Sequence, residues 1–192
     1  MTLRALGAGV LIWCLGAVAP ARAGQSPVEV VNRDAATGKT TIRATRLSAP
    51  LRIDGRLDEV LYDSVMPVSD FVQMEPNGGK PASEKTEVWI AFDERNIYVA
   101  MRAWESQPER MIANEMRRDS NNIFQNDNVQ LVIDTFYDRR SGVLFQTNAL
   151  GALSDQEVSD ERNFNRDWNA VWDVKAARTE DGWSAEFAMT TL

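Results

Sequence analysis

Thr86-Glu87-Val88-Trp89-Ile90-Ala91-Phe92, then Asp93-Glu94-Arg95-Asn96, then Ile97-Tyr98-Val99-Ala100-Met101-Arg102-Ala103-Trp104 is the stretch that decides the fold class of this 192-residue chain. β-Branched and aromatic residues fill both flanks and turn formers fill the middle, so the stretch reads as a β-hairpin. Alternation puts Val88, Ile90 and Phe92 on one face and Trp89 on the other. Working outward, Asn128 to Phe136 and Val143 to Asn148 form a second pair, joined by Tyr137 to Gly142. Ala170 to Arg178 and Trp183 to Met189 form a third, joined by Thr179-Glu180-Asp181-Gly182, where Gly182 supplies the positive φ of a bulged turn. Three hairpins with little helix between them predict an all-β domain, an antiparallel β-sandwich of jelly-roll-like form. Helix is expected only near Leu57 to Tyr62, with Asp54 or Asp58 as cap, and at Pro108 to Met116, where Pro108 suits a first helical position.

The start of the chain has a different texture. Met1-Thr2-Leu3-Arg4 precedes the apolar run Ala5 to Ala19, and Pro20-Ala21-Arg22-Ala23 has small residues at the -3 and -1 positions of a cleavage site. Residues 1–23 are therefore expected to be a secretory signal peptide, cut after Ala23. An apolar run of about 15 residues is short for the roughly 20 that span a bilayer as a helix. The expected location is outside the cytoplasm, in the periplasm or associated with the outer membrane. Cys14, the single cysteine, leaves with the signal, so the exported chain forms no disulfide. Residues 24–46 are polar and small and read as a linker with one short strand, Thr40 to Arg46. Residues 47–192 are the sandwich. No repeat and no low-complexity run appears.

Composition removes several function classes. The chain has 28 Asp and Glu against 21 Lys and Arg, a net charge of -7, and such a balance is wrong for a general nucleic-acid binder, which needs clustered positive charge. There is no His, so serine–histidine triads, cysteine–histidine pairs and histidine zinc sites are excluded. Haem would need Met or Lys as its axial ligand.

The remaining candidates rest on carboxylates, amides and aromatics. Glycoside hydrolysis uses two flanking carboxyl groups, and Asp54, Asp58, Glu59, Asp127, Asp134, Asp155, Glu157, Asp160 and Glu161 supply the residue type. Most of them sit in turns, where Asp bonds its own backbone. Asp119 to Asn128 is rich in oxygen and is a candidate calcium loop, although it lacks the Gly and Glu positions of an EF-hand. Its other reading is a polar loop that caps neighbouring backbone. Trp89, Trp104, Trp168, Trp172 and Trp183 remain after cleavage, and aromatic rings stack on the C–H faces of sugars. Trp172 and Trp183 share strand faces with apolar residues and read as core. Trp168, in the loop Asn163 to Asn169, reads as the exposed one. Arg117-Arg118, Arg139-Arg140 and Arg178 could meet an anionic partner, but Asp119 and Asp138 lie beside two of these sites and pairing with them is the simpler reading.

Four stretches in register extend these readings. Leu51-Arg52-Ile53-Asp54-Gly55-Arg56-Leu57-Asp58-Glu59, Phe92 to Val99, Asn126-Asp127-Asn128-Val129-Gln130-Leu131-Val132-Ile133-Asp134, and Asp181-Gly182-Trp183-Ser184-Ala185-Glu186-Phe187-Ala188-Met189 resemble the family 9 carbohydrate-binding modules. The chain looks especially like the version at the N-terminus of DUF5916-type bacterial proteins, where the domain precedes an outer-membrane β-barrel. The resemblance covers about residues 47 to 192. It implies a non-catalytic module that binds poly- or oligosaccharide and accompanies polysaccharide-degrading enzymes. It also implies a sugar site at Phe124, for stacking, and at Gln130, Gln146 and Asn148, for hydrogen bonds. Gln130 stands where the family has Glu and Gln146 where it has Arg, so Asn148 alone matches the pattern. The family continues through further strands after the position of Met189, so the resemblance also implies a sandwich that lacks its last strands within this sequence. A second implied reading is a structural or interaction domain in front of a barrel, with sugar binding lost.

Overall fold

A computed structural model describes residues 27–191. The expected signal peptide lies outside the described residues. The first strands are short: β1 (Val31–Arg33), β2 (Thr40–Ile42) and β3 (Thr45–Arg46), followed by the helix α1 (Val60–Ser64). Next come β4 (Thr86–Phe92), β5 (Asn96–Trp104), β6 (Asn128–Ile133), β7 (Gly142–Asn148), β8 (Ser154–Ser159), β9 (Asn163–Asn165), β10 (Trp172–Thr179) and β11 (Gly182–Thr190). One sheet has the order β10-β11-β5-β4-β3 and the other β6-β7-β8-β9, with β1 and β2 forming a separate hairpin. The two larger sheets are antiparallel except where β3 runs parallel to β4. Among the described residues no helix is long and apolar enough to cross a membrane.

The deciding hairpin forms as its sequence predicts, with Val88 opposite Met101 and Ile90 opposite Val99. Its turn closes on Asp93, whose Oδ1 accepts the backbone N–H groups of Arg95 at 2.7 Å and Asn96 at 2.8 Å. Alternation then gives the five-stranded sheet two apolar faces. One face packs on the four-stranded sheet through Val99, Met101, Trp172, Val174, Trp183, Ala185 and Phe187, which meet Phe145 from β7. Trp172 stacks on Phe187 with ring centroids 5.9 Å apart, and Phe145 meets Trp172 edge-on at 5.1 Å. Trp172 and Trp183 are thus core residues, as their strand faces indicate. Burying a side chain the size of Phe187 contributes about 2–3 kcal/mol.

The second face carries Trp89, Ala91, Tyr98 and Ala100, covered by Val30, Leu61, Val65 and Val68. Trp89 Nε1 donates to the Val65 carbonyl at 3.0 Å. This layer corrects the linker expectation for 24–46. In the described part of that segment, β1 and β2 pair with each other, β3 joins the main sheet, and Val30 enters the core. Single apolar residues in polar surroundings carry no periodic signal, which is why the segment reads as a linker.

Helix placement is also corrected. The helix begins at Val60, three residues after Leu57, and Pro108 starts only a single turn of 3-10 helix, Pro108–Arg110. A further 3-10 helix, Asn121–Gln125, is capped by Ser120, whose Oγ accepts the Asn122 N–H.

The Leu51–Glu59 stretch is held by the third hairpin. Glu186 is fully buried; its Oε2 accepts the N–H groups of Asp54 at 2.9 Å and Gly55 at 2.8 Å, and its Oε1 accepts the Tyr62 hydroxyl at 2.6 Å. Ser184 Oγ donates to the Gly55 carbonyl at 2.7 Å. Gly55 is required there, because its φ is +84° and a Cβ would meet the Ala176 carbonyl carbon at 2.7 Å. Two of the motif stretches are therefore the two halves of one clamp.

Candidate functional site

The outer face of the four-stranded sheet carries a row of amides. Register places Asn128 opposite Asn148 and Gln130 opposite Gln146, and Gln146 opposite Ser154. Residues two apart on a strand share a face, so Asn128, Gln130, Gln146 and Asn148 point the same way. The segment from Ile112 to Asn126 folds over part of this face and buries Ile123, Glu115 and Asn126.

Three residues organise that cover. Asn126 Oδ1 accepts the N–H groups of Asn114 and Glu115, and its Nδ2 donates to Asn114 Oδ1 and the Asn122 carbonyl. Glu115 accepts from the Arg117 guanidinium at 2.8 Å, from Ser120 Oγ at 2.6 Å and from the backbone N–H of Arg117 at 2.9 Å. The Arg117 and Ser120 bonds hold its carboxyl far below the usual carboxylate range. Asp127 accepts the Ile112 N–H, which ties the cover to the start of β6.

The expected site residues occupy unequal positions. Phe124 is 48% exposed near the end of the 3-10 helix, so part of its side chain reaches solvent. Gln130 is exposed on β6 and donates to Asn128 Oδ1 at 3.3 Å. Gln146 is buried beneath them and donates to the same oxygen at 2.9 Å, while its Oε1 has no hydrogen-bond partner. Asn128 is held in place by its own donation to the Asn126 carbonyl at 2.7 Å.

Asn148 belongs to the framework instead. It is fully buried, donates to the Glu115 carbonyl at 2.7 Å and to Asn126 Oδ1 at 2.9 Å, and accepts from Leu150 and Ala152 N–H groups. Its hydrogen-bonding capacity is spent. Trp168 is not on this face. It is half-buried and meets Phe145 edge-on at 6.3 Å, and Phe145, next in sequence to Gln146, faces the opposite side of the sheet. A loop position in sequence did not imply an exposed ring, because the loop folds back on the core.

The side chains of the candidate calcium loop bond chiefly within the cover. Ser120, Asn122 and Asn126 bond within the cover, and Asp119 Oδ1 accepts the Asp155 N–H at 3.2 Å. Among the described residues no cluster of three or more Asp, Glu or Cys is placed to hold a metal ion. The side chains of Ser120, Asn122 and Asn126 hold the cover together, which is the capping role that the polar composition of the stretch suggested.

Several of the carboxylates that supply the residue type for a catalytic pair are engaged in structural contacts. Asp134 accepts backbone N–H groups of Phe136, Asp138 and Arg139. Asp155 is fully buried between Arg118 and the Ala170 N–H, each at 2.6 Å. Asp54 and Asp58 share Arg52 at 3.1 and 3.0 Å. Arg118 pairs with the adjacent Asp119 at 3.3 Å and with Asp155 at 2.6 Å, whereas the Arg140 guanidinium pairs with Asp160 at 2.7 Å and Asp138 accepts from Arg140 only the backbone N–H.

Searches of known proteins bear on the fold. The chain superposes on a family 9 carbohydrate-binding module from Caldicellulosiruptor kristjanssonii in complex with cellotriose, with a TM-score of 0.52 and 14% identity over 77% of this chain and 66% of that one. This is a CBM9-like fold. The same organism's family 9 module in complex with glucose superposes with a TM-score of 0.51 and 13% identity, over 78% of this chain and 68% of that one. A candidate carbohydrate-binding protein from Bacteroides uniformis superposes with a TM-score of 0.57 and 12% identity, over 77% of this chain and 71% of that one. No family model and no curated protein matches the chain. The CBM9-like domain thus spans just under two thirds of the first of these structures. Within it, Glu115 and Asn126 are the organisers that sequence reading missed. Glu115 lies in an irregular segment before the strand motif and Asn126 is the motif's first residue, where nothing periodic marks either of them.

Proposed function

We propose that the CBM9-like domain is a non-catalytic carbohydrate-binding module of an exported bacterial protein. Phe124 stacks on the C–H face of a sugar ring, Gln130 bonds its hydroxyls, and Asn128 orients Gln130 and Gln146. The observation that carries this reading is a half-exposed Phe124 on the segment that covers the amide face, together with Gln130 exposed on β6 of that face. The cellotriose and glucose complexes of the Caldicellulosiruptor kristjanssonii modules support a glucan-type ligand. Export to the periplasm or outer membrane, suggested by Met1 to Ala23, and association with polysaccharide breakdown belong to the same proposal.

The burial of Gln146 and Asn148 favours one second reading, a structural or interaction domain in front of an outer-membrane barrel. Affinity electrophoresis in gels containing soluble β-glucans and xylans separates the two. Retardation by at least one glycan is expected for the binding module. Unchanged mobility in every glycan would transfer the assignment to the second reading.

A further inference from the structure

The Arg117-Arg118 pair is turned onto buried acids. Arg117 grips Glu115 with two nitrogens, Nε at 3.1 Å and Nη2 at 2.8 Å, and Arg118 Nη2 reaches the Asp155 carboxylate on β8 at 2.6 Å. Glu115 is 6% exposed and Asp155 is fully buried. Asp119 continues the attachment: its N–H donates to the Leu153 carbonyl at 2.9 Å and its Oδ1 accepts the Asp155 N–H at 3.2 Å. The chain is fixed to the four-stranded sheet again at Asn126, whose Oδ1 accepts from Asn148 Nδ2 of β7 at 2.9 Å.

Between these two attachments lies the 3-10 helix Asn121–Gln125, with Ile123 fully buried and Phe124 half exposed. So short a helix has little stability of its own, and the groups bonded to it set the direction of the Phe124 side chain. Ser120 is the joint. Its Oγ donates to Glu115 Oε2 at 2.6 Å and accepts the Asn122 N–H at 3.3 Å, which couples the buried carboxylate to the first turn of the helix. Because Arg117 holds that carboxylate through a planar fork, the acceptor that Ser120 uses is itself fixed.

We infer that Ser120, Glu115 and Arg117 are positioning residues for sugar binding: they hold the helix in one orientation before ligand arrives, so that a sugar meets a preset Phe124. The inference rests on the sugar-binding reading of this face. Ordering a loose segment at the moment of binding subtracts from affinity. Loosening the joint therefore weakens binding without removing an atom that meets the sugar.

Hydrogen exchange and calorimetric titration with cello- and xylo-oligosaccharides test it on the wild type, Ser120→Ala and Ser120→Thr, each shown to be folded by its melting curve. In Ser120→Ala, amide exchange over 121–126 is expected to be roughly tenfold faster with β4 and β5 unchanged, and affinity about fivefold weaker. Ser120→Thr keeps the hydroxyl and restores both. Unchanged exchange over 121–126 in Ser120→Ala overturns the joint whether or not sugar binds. Faster exchange with unaltered affinity overturns the positioning role and leaves the sugar site standing, and so does a Ser120→Thr variant that behaves like Ser120→Ala. No binding of any oligosaccharide by the wild type removes the sugar site, and the positioning role with it.

Discussion

At Glu186 a carboxylate is buried with three donors, the N–H groups of Asp54 and Gly55 and the Tyr62 hydroxyl. Burial pushes its pKa up despite those bonds. Glu186→Ala leaves all three donors without their acceptor and is expected to destabilise the fold by about 2–4 kcal/mol in urea unfolding. The pH dependence has a definite sign. A carboxyl whose folded pKa lies above its ordinary value of 4.5 binds more protons in the folded state between those two values. Its contribution to stability is therefore present below the ordinary value and is lost as pH rises through the folded pKa. The stability of the wild type relative to Glu186→Gln is accordingly expected to increase as pH is lowered from 7 toward 4.5, and a constant difference would contradict this. Glu115 has the opposite sign: its depressed pKa contributes stability above the ordinary range that is lost in acid. At this scale the sequence was legible where chemistry is local. The turn role of Asp93 followed from its position in the hairpin. The role of Asn148 did not, because alternation indicates which way a side chain points and not that Ile112 to Asn126 will cover it.

At the scale of elements, the three hairpins were legible because their apolar residues alternate. β8 was not. Its sequence Ser154-Asp155-Gln156-Glu157-Val158-Ser159 has no apolar period, yet Ser154, Asp155 and Gln156 are buried. Arg118 neutralises Asp155, and the Asp155 N–H donates to Asp119, so a polar network takes the place of apolar packing in defining the strand. The turn between β10 and β11 was legible for a backbone reason. Gly182 has φ +147°, and a Cβ there would meet the Ala103 carbonyl oxygen at 2.0 Å. Gly182→Ala is expected to destabilise the protein by about 2 kcal/mol or more, measured by thermal unfolding. A change within ±0.5 kcal/mol would mean that the hairpin tolerates the side chain.

For the whole molecule, the central sheet is covered on both faces, and the second layer begins before residue 47. Ending the chain's N-terminus at Leu47 removes Val30 from the contact with Trp89 and Tyr98. The expected loss is about 2 kcal/mol, or roughly 4–8 °C in Tm, whereas an unchanged Tm would restore 24–46 to the status of a linker. The CBM9-like architecture was legible because four spaced stretches coincide with structural joints: the clamp, the first hairpin, the β6 edge and the β11 strand. Of the candidate site residues, Phe124 and Gln130 reach solvent while Asn148 and Trp168 are committed elsewhere. The most direct measurement is isothermal titration calorimetry with cello- and xylo-oligosaccharides on the wild type and on Phe124→Ala. Heat of binding with at least one oligosaccharide, and affinity about tenfold weaker or worse in a folded Phe124→Ala, is the predicted result. No heat with any of them, or equal affinity in the variant, would contradict binding at this face.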